Sequence, residues 1–301
     1  MSKMIKKQKR TILKTTQRLP DWFRTSKGKL DATRALSKKL KADVPNSICE
    51  EAKCPNRFDC FKKGVLTFMI LGTTCTRNCA FCSVTHGKPL SPNPDEINDI
   101  FNAIEKLSLK FVVLTSPNRD DLPDGGAAHY AYIIRGIKTR YPSVKVEVLI
   151  PDFQGDLTAL KVVVDAKPDV INHNMETVPS LYTIARRGSL FQRSLDVLSA
   201  VKDMDPHMLT KSGLMVGLSE TKAELSSTFS LIRSANVDIL TVGQYLQPSR
   251  NNLPVAKYYS LEAFDELKQD AESYGFPYVF SGPLVRSSYL AEHVFEGVVT
   301  S

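Results

Sequence analysis

The chain has 301 residues, 42% hydrophobic and 24% charged, with a formal net charge of +8. That length can bury one large core or two small ones. No apolar run approaches the ~20 residues of a membrane helix, and the start of the chain lacks the apolar stretch of a secretory signal. The charge is uneven. Residues 1–41 hold fourteen Lys/Arg against two acids, Asp21 and Asp31, so the remaining 260 residues sum to −4. A net acidic body is not a nucleic-acid platform, which would interleave basic and aromatic residues across the fold. Residues 1–20 read as a basic flexible tail; a sharper reading makes them an arm for an acidic partner. A mitochondrial transit peptide is the minor option, since the stretch is Lys-rich rather than Arg- and Ser-rich. Nothing points to export or to a membrane, so a reducing, cytoplasmic compartment is expected, where cysteine clusters serve metals or catalysis rather than disulfides.

From residue 65 a regular alternation appears. "VLTFMIL" (65–71) reads as a strand buried on both faces. Asn93-Pro94 opens a helix over 95–107, with acids in its first turn. Further strands are expected at 111–115, 144–150, 169–173, 212–217 and 237–243. The helices between them are expected at 127–140, 156–166, 178–186, 191–203, 220–235 and 260–274. A short "YVFSG" (278–282) follows. Six strands alternating with helices imply a parallel sheet with right-handed crossovers. The fold class expected is α/β, a partial (β/α)6 barrel over 63–276, with an N-terminal extension at 21–62 and a C-terminal one at 277–301. Ligands should gather at the C-terminal ends of the strands. Polar residues do collect there: Ser116, Asn118 and Arg119, then His173, Asn174 and Glu176, then Glu220, Gln244 and Gln247.

All six cysteines lie within 34 residues, in two triplets, Cys49-x4-Cys54-x5-Cys60 and Cys75-x3-Cys79-x2-Cys82. Thiolates suit iron–sulfur clusters or zinc. Structural zinc commonly takes paired C-x2-C knuckles, and neither triplet is one. Three cysteines leave one iron of a cubane cluster without a thiolate, which favours catalytic clusters over four-cysteine electron relays. One joint zinc site, or six thiols packing as small hydrophobes, are the weaker alternatives.

"CTRNCAFC" after a first barrel strand resembles the radical S-adenosylmethionine (SAM) signature. Seven segments narrow the likeness: "SICEEAKCPNRFDCF" (47–61), "TFMILGTTCTRNCAFC" (67–82), "RDDLPDGGAAHY" (119–130), "HNMETVPSLY" (173–182), "TKSGLMVGLSET" (210–221), "GQYLQPS" (243–249) and "GPLVRSSY" (282–289). In this order, from about residue 20 to 297, they resemble the lipoyl synthase family. Its first triplet sets it apart from biotin-synthase-like enzymes. Two departures stand out: Ser219 where a glycine is common, and Asn251/Asn252 where a histidine is usual.

The resemblance implies two 4Fe-4S clusters and SAM. Cys75, Cys79 and Cys82 would hold the cluster that binds SAM. Cys49, Cys54 and Cys60, with Ser288 (Ser287 the alternative), would hold an auxiliary cluster that supplies sulfur. The implied activity is a sulfurtransferase that inserts two sulfurs at C6 and C8 of an octanoyl chain on a carrier lysine. Expected carriers are the glycine-cleavage H protein and 2-oxoacid dehydrogenase E2 subunits. A one-electron donor such as flavodoxin or ferredoxin and an iron–sulfur carrier for cluster re-supply are further expected partners. Asn174, Glu176, Gly213, Gly217, Glu220 and Gln244 are the expected SAM-binding residues. "SPNR" (116–119) stands in the slot where the superfamily often carries Gly-Gly-Glu. Asn174 and Glu176 also read as a helix start, and Glu220 as a first-turn acid favoured by the helix dipole.

Overall fold

The computed structural model describes residues 65–288 together with Pro20 and Trp22. Cys49, Cys54, Cys60, the basic stretch 1–19 and residues 289–301 lie outside the described residues. Nine strands and seven α-helices occur among the described ones, in the order β1 (Val65–Met69), β2 (Thr74–Cys75), β3 (Thr85–His86), α1 (Glu96–Leu107), β4 (Phe111–Thr115), α2 (Ala127–Arg140), β5 (Lys145–Leu149), α3 (Leu157–Val164), β6 (Val170–Asn172), α4 (Tyr182–Ala185), α5 (Phe191–Met204), β7 (Leu209–Val216), α6 (Lys222–Ser234), β8 (Ile239–Gln244), α7 (Leu261–Ser273) and β9 (Tyr278–Gly282).

Seven strands form one all-parallel sheet in the order β1-β4-β5-β6-β7-β8-β9. Each step from one strand to the next crosses over through a helix, as parallel pairing requires. This is the expected partial barrel with one strand more. Tyr278–Gly282, placed by sequence in the C-terminal extension, pairs with β8 as the seventh strand. The small parallel pair β2–β3, just outside the barrel, has no forewarning in the sequence. The helix expected at 178–186 is a 3-10 turn followed by the single turn of α4. No helix among the described residues is long and apolar enough to cross a membrane.

Helix starts follow local chemistry. Thr221 and Glu224 form a reciprocal capping box at α6, and Asp156 and Ser260 cap α3 and α7. Each such cap contributes about 1 kcal/mol.

Strand alternation decides which side chains face the helices and which face the barrel interior. Leu66, Phe68, Val112, Leu114, Val146, Val148 and Ile171 pack in one apolar cluster with α1, α2, α3 and α5. Leu214, Val216, Leu240 and Val242 do the same with α5, α6 and α7. Each such side chain, fully buried, contributes about 1.5–3 kcal/mol. The opposite parity is partly polar: Thr67, Thr115, Glu147, Asn172, Lys211 and Thr241, all buried. Glu147 and Lys211 form an ion pair at 3.0 Å with both side chains sealed from solvent. Asn172 Nδ2 donates to the same carboxylate at 3.1 Å. These three lie two residues before Leu149, Asn174 and Gly213, so they form the layer directly beneath the barrel mouth.

Breaking one partner of such a pair strands a buried charge. Glu147→Gln is therefore expected to lower unfolding free energy by about 3–5 kcal/mol. The double change Glu147→Leu with Lys211→Met should recover most of that loss. Urea unfolding of the three proteins checks both.

Candidate active site

The loop leaving β1 turns sharply. Leu71 and Gly72 both adopt positive φ, and the Leu71 N–H donates to Glu96 Oε2 at 3.0 Å. The loop then carries Cys75, Cys79 and Cys82 across the mouth of the barrel. Its backbone is tied on every side. Thr76 N–H donates to Asn118 O, Ala80 N–H to Ala185 O, and Leu253 N–H to Ala80 O, at 2.8–3.0 Å. Asn252 Nδ2 donates to Cys82 O at 2.7 Å, so one of the two asparagines standing where a histidine is usual supports the cysteine loop.

Arg77, within the loop, makes the strongest tie. Its Nε and Nη2 form a fork on Asp120 at 2.7 Å each. Its Nη1 and Nη2 reach the wholly buried Asp152 at 2.9 and 2.6 Å, and Nη1 also donates to Ser189. Burial works against both charges, but the paired hydrogen bonds outweigh it. Arg77 is held firmly protonated, and Asp152 well below the usual carboxylate range.

All three thiols face one cavity of about 280 Å³, lined also by Met69, Thr115, Asn118, Asn174, Glu176 and Arg186. Cys75 Sγ accepts from Arg77 N–H at 3.4 Å and from Asn118 N–H at 3.3 Å. Cys82 Sγ accepts from Val84 N–H at 3.4 Å. Burial pushes the Cys79 thiol up to about 12 and the Cys82 thiol up to about 11. Such thiols bind as thiolates only where a metal supplies the compensating charge. Among the described residues, no three His, Cys, Asp or Glu side chains converge on a point that one metal ion could fill. The thiols line a cavity instead, and N–H donors aimed at sulfur are the environment of an iron–sulfur cluster.

The far wall comes from β6 and β7. Asn174 Oδ1 is buried and accepts no hydrogen bond from any described residue, which fits a ligand that brings a donor. Gly213 leaves the space it needs, since a Cβ there would stand 2.8 Å from that oxygen. Glu176 holds a left-handed φ of 69°, fixed by a bridge to β7. Such a conformation in a non-glycine residue persists only where its surroundings over-determine it, as at many ligand sites. Its exposure is to the cavity. Burial raises its pKa, partly countered by Arg186. Buried Arg186 donates through Nη1 to Asn174 O, Tyr182 Oη and Ser194 Oγ. Asn174 Nδ2 donates to Ser287 Oγ at 3.2 Å, which brings the R-S-S segment to this wall.

Of the residues expected to bind SAM, Asn174 and Glu176 line the cavity, and Gly213 lies behind the Asn174 amide. Three are placed otherwise. Gln244 has the parity of Leu240 and Val242 and points away from the barrel interior. Its Nε2 donates to Val216 O, Tyr245 O and Lys257 O, and its Oε1 accepts from Tyr259 N–H. Glu220 accepts from Gly217 N–H, Leu218 N–H and Tyr259 Oη, so it clamps the loop after β7. Gly217, at φ 101°, leaves the room that Gln244 occupies. Ser219, where glycine is common, sits at φ 92°, a backbone region that favours glycine. Ser288 is half-buried beside Ser287. Arg77 and Arg186 escaped sequence reasoning. Arg77 was visible only as the middle of "CTRNC", and Arg186 carries no motif at all.

His173, at the rim by sequence, is fully buried. Its Nδ1 bonds Ile150 O and its Nε2 bonds Ser194 Oγ. Ile150 O can only accept. Ser194 Oγ already accepts from Tyr182 and Arg186, so its own proton goes to Nε2. The set fixes the neutral Nδ1–H form.

A model of the radical SAM superfamily matches residues 69–232. Lipoyl synthase of Caldicellulosiruptor bescii is 49% identical over 277 residues, covering 91% of this chain and 94% of that protein. Lipoyl synthase of Shewanella loihica is 46% identical over 300 residues, covering 98% of this chain and 91% of its own length. Among solved structures, HydG, a maturase of the [FeFe]-hydrogenase, superposes with a TM-score of 0.54 at 13% identity, over 98% of this chain and 77% of its own, which speaks to the fold alone.

Burial, with the charge of Arg186, pushes the His173 pKa down to about 3. The unfolded chain takes up this proton near pH 6.5 and the folded chain does not. The histidine's contribution to stability is therefore complete above pH 6.5 and lost as pH falls towards 3. Unfolding free energy should fall by up to about 1.4 kcal/mol per pH unit below 6.5 from this group. A His173→Gln variant should show a flatter profile between pH 7 and 5 in urea unfolding.

Proposed function

The chain belongs to the lipoyl synthase family of the radical SAM superfamily, and on that premise we propose how its residues divide the work. The reaction is insertion of two sulfur atoms, at C6 and C8, into an octanoyl chain carried on a protein lysine, with two 4Fe-4S clusters and SAM as cofactors. The observation that carries the reading is the convergence of Cys75, Cys79 and Cys82 on one cavity with Asn174, Glu176 and Arg186.

Breaking an unactivated C–H bond is beyond acid–base catalysis, which contributes typically ~10²–10⁴-fold. A cluster held by Cys75, Cys79 and Cys82, together with SAM, would supply the one-electron chemistry that hydrogen abstraction requires. The chain's residues do the rest. Cys75, Cys79 and Cys82 hold the iron, and the N–H groups of Arg77, Asn118 and Val84 stabilise charge on their sulfurs. Asn174 Oδ1 accepts from a SAM amine or ribose hydroxyl. Arg186, whose Nη1 is committed to the protein, directs the rest of its guanidinium at the SAM carboxylate. Glu176 accepts from the amine, where its raised pKa is offset by the cation it binds. Met69, Leu149 and Ile150 give the cavity an apolar side, which excludes water from a radical.

The sulfur-supplying cluster is assigned to Cys49, Cys54, Cys60 and Ser288. The Asn174 bond to Ser287 supports Ser288 as the ligand, because it already engages the neighbouring hydroxyl. A serine oxygen is a harder and weaker iron ligand than thiolate, suited to an iron that must be given up. The protein substrates are octanoylated lipoyl carriers, namely the glycine-cleavage H protein and 2-oxoacid dehydrogenase E2 subunits. Flavodoxin or ferredoxin provides electrons, and an iron–sulfur carrier restores the auxiliary cluster. We place the reaction in the cytoplasm, where the thiols stay reduced.

After anaerobic reconstitution the wild type should hold about eight irons per chain, and the Cys49/Cys54/Cys60→Ala variant about four. Mass spectrometry of octanoylated H protein should show two added sulfurs with the wild type and none with that variant. Ser288→Ala should lose sulfur insertion while keeping SAM cleavage; Ser287→Ala should keep both. Zinc in place of iron would overturn the reading.

A further inference from the structure

The cysteine loop has two sides. Its inner side faces the barrel cavity. Its outer side faces a larger open cavity of about 760 Å³, formed by residues 78–80 and 82–86, Arg187 and the loop 249–254 after β8. The two cavities share four lining residues, Asn78, Cys79, Cys82 and Val84. The outer one therefore reaches the back of two cluster-holding cysteines without touching Asn174, Glu176 or Met69.

Its chemistry is one-sided. Two arginines, Arg187 and Arg250, line it, and among the described residues no aspartate or glutamate does. Both arginines are exposed, and neither has an ion-pair or hydrogen-bond partner among the described residues. Elsewhere, exposed cations are commonly paired, as Arg140 is with Glu105, Lys161 with Asp165 and Lys222 with Glu266. Unpaired like charges around a concavity set up a field that steers an oppositely charged protein. The wall behind them is rigid, held by Leu253 N–H on Ala80 O and by Asn252 on Cys82 O.

We infer that this outer cavity, with Arg187 and Arg250, is the docking surface for a small acidic one-electron carrier protein. It delivers its electron through the wall formed by Cys79 and Cys82. The carrier is oxidised by one electron, and the iron group held by Cys75, Cys79 and Cys82 is reduced by one; no proton need move. The octanoyl-lysine, by contrast, has to reach the inner cavity, so reductant and substrate use opposite sides of one loop. The inference rests on the proposed radical chemistry.

The test uses reconstituted holoenzyme, reduced flavodoxin as carrier, and dithionite as a small reductant that needs no docking surface. Binding of oxidised flavodoxin to wild type should weaken as salt rises, and the Arg187→Glu/Arg250→Glu variant should bind about tenfold more weakly at low salt. Arg187→Gln/Arg250→Gln should fall between them. Flavodoxin-driven SAM cleavage should drop in the same order. Dithionite-driven cleavage, lipoyl formation and the KM for octanoylated H protein should match wild type. Salt-independent flavodoxin binding, or binding unchanged in both variants, would overturn the docking surface. So would a raised KM for the H protein with dithionite, which would make the surface the substrate carrier's. Failure of wild type to form lipoyl groups with dithionite would instead overturn the proposed function, a result distinct from any of these.

Discussion

One buried guanidinium fixes the geometry on which the site depends. Arg77 lies between the first two cysteines of the loop, and its partners come from three other places in the chain: Asp120 after β4, Asp152 after β5 and Ser189 after α4. A loop crossing a barrel mouth has no ladder of its own to hold it. Its shape must be imposed from the strand ends around it. A planar fork with five donors can satisfy two carboxylates and a hydroxyl at once, which a lysine ammonium cannot do with the same directionality. Desolvating these charges offsets much of their attraction, so the arrangement is better understood as fixing a conformation than as adding stability.

The same economy runs through the barrel interior. A (β/α) barrel normally fills its centre with branched apolar side chains. Here one layer of the interior is Glu147, Asn172 and Lys211, bonded to one another and sealed from solvent. The layer above carries Leu149, Asn174 and Gly213. The set is not closed: Asn172 Oδ1 has no partner among the described residues, nor has Asn174 Oδ1 in the layer above, so floor and mouth each keep a buried acceptor free. Gly213 is part of this scheme, since any side chain at that point of β7 would displace the Asn174 amide.

What the sequence disclosed and what it hid divide along physical lines. Strand and helix order was legible because buried parallel strands are short apolar runs, and capped helices carry Thr-x-x-Glu or Ser starts. The cysteine triplets were legible because ligand spacing is local. The rim position of Asn174 and Glu176 was legible because it follows directly from strand order. The backbone bonds of Gln244 were not legible, because a position at a strand end does not reveal its face; one residue of parity separates a cavity-facing group from one that pins a loop. The clamp that Glu220 forms on the loop after β7 was not legible, because an acid after a strand can equally bind a ligand or accept two backbone N–H groups. Arg186 was invisible because Tyr182 and Ser194, though only four and eight residues away, become its partners only once α4 and α5 take up their places. The seventh strand was missed as part of the sheet because "YVFSG" is short and its pairing with β8 is non-local.

The cysteine loop also resolves two opposed demands. A site that generates a carbon radical needs an interior closed to water and to stray hydrogen donors, while the metal within it needs a route for electrons from outside. If the thiols sat deep in the barrel, closure would be easy and electron entry slow. If they sat on the surface, entry would be easy and the radical exposed. Stretched across the mouth, the loop puts its sulfurs on the inner side and its backbone, braced by Asn252 and Leu253, on the outer. Asn78, Cys79, Cys82 and Val84 line the cavities on both sides of it, and Arg187 and Arg250 line the outer one. The rigidity that Arg77 imposes from within is therefore what allows the loop to be thin without being loose.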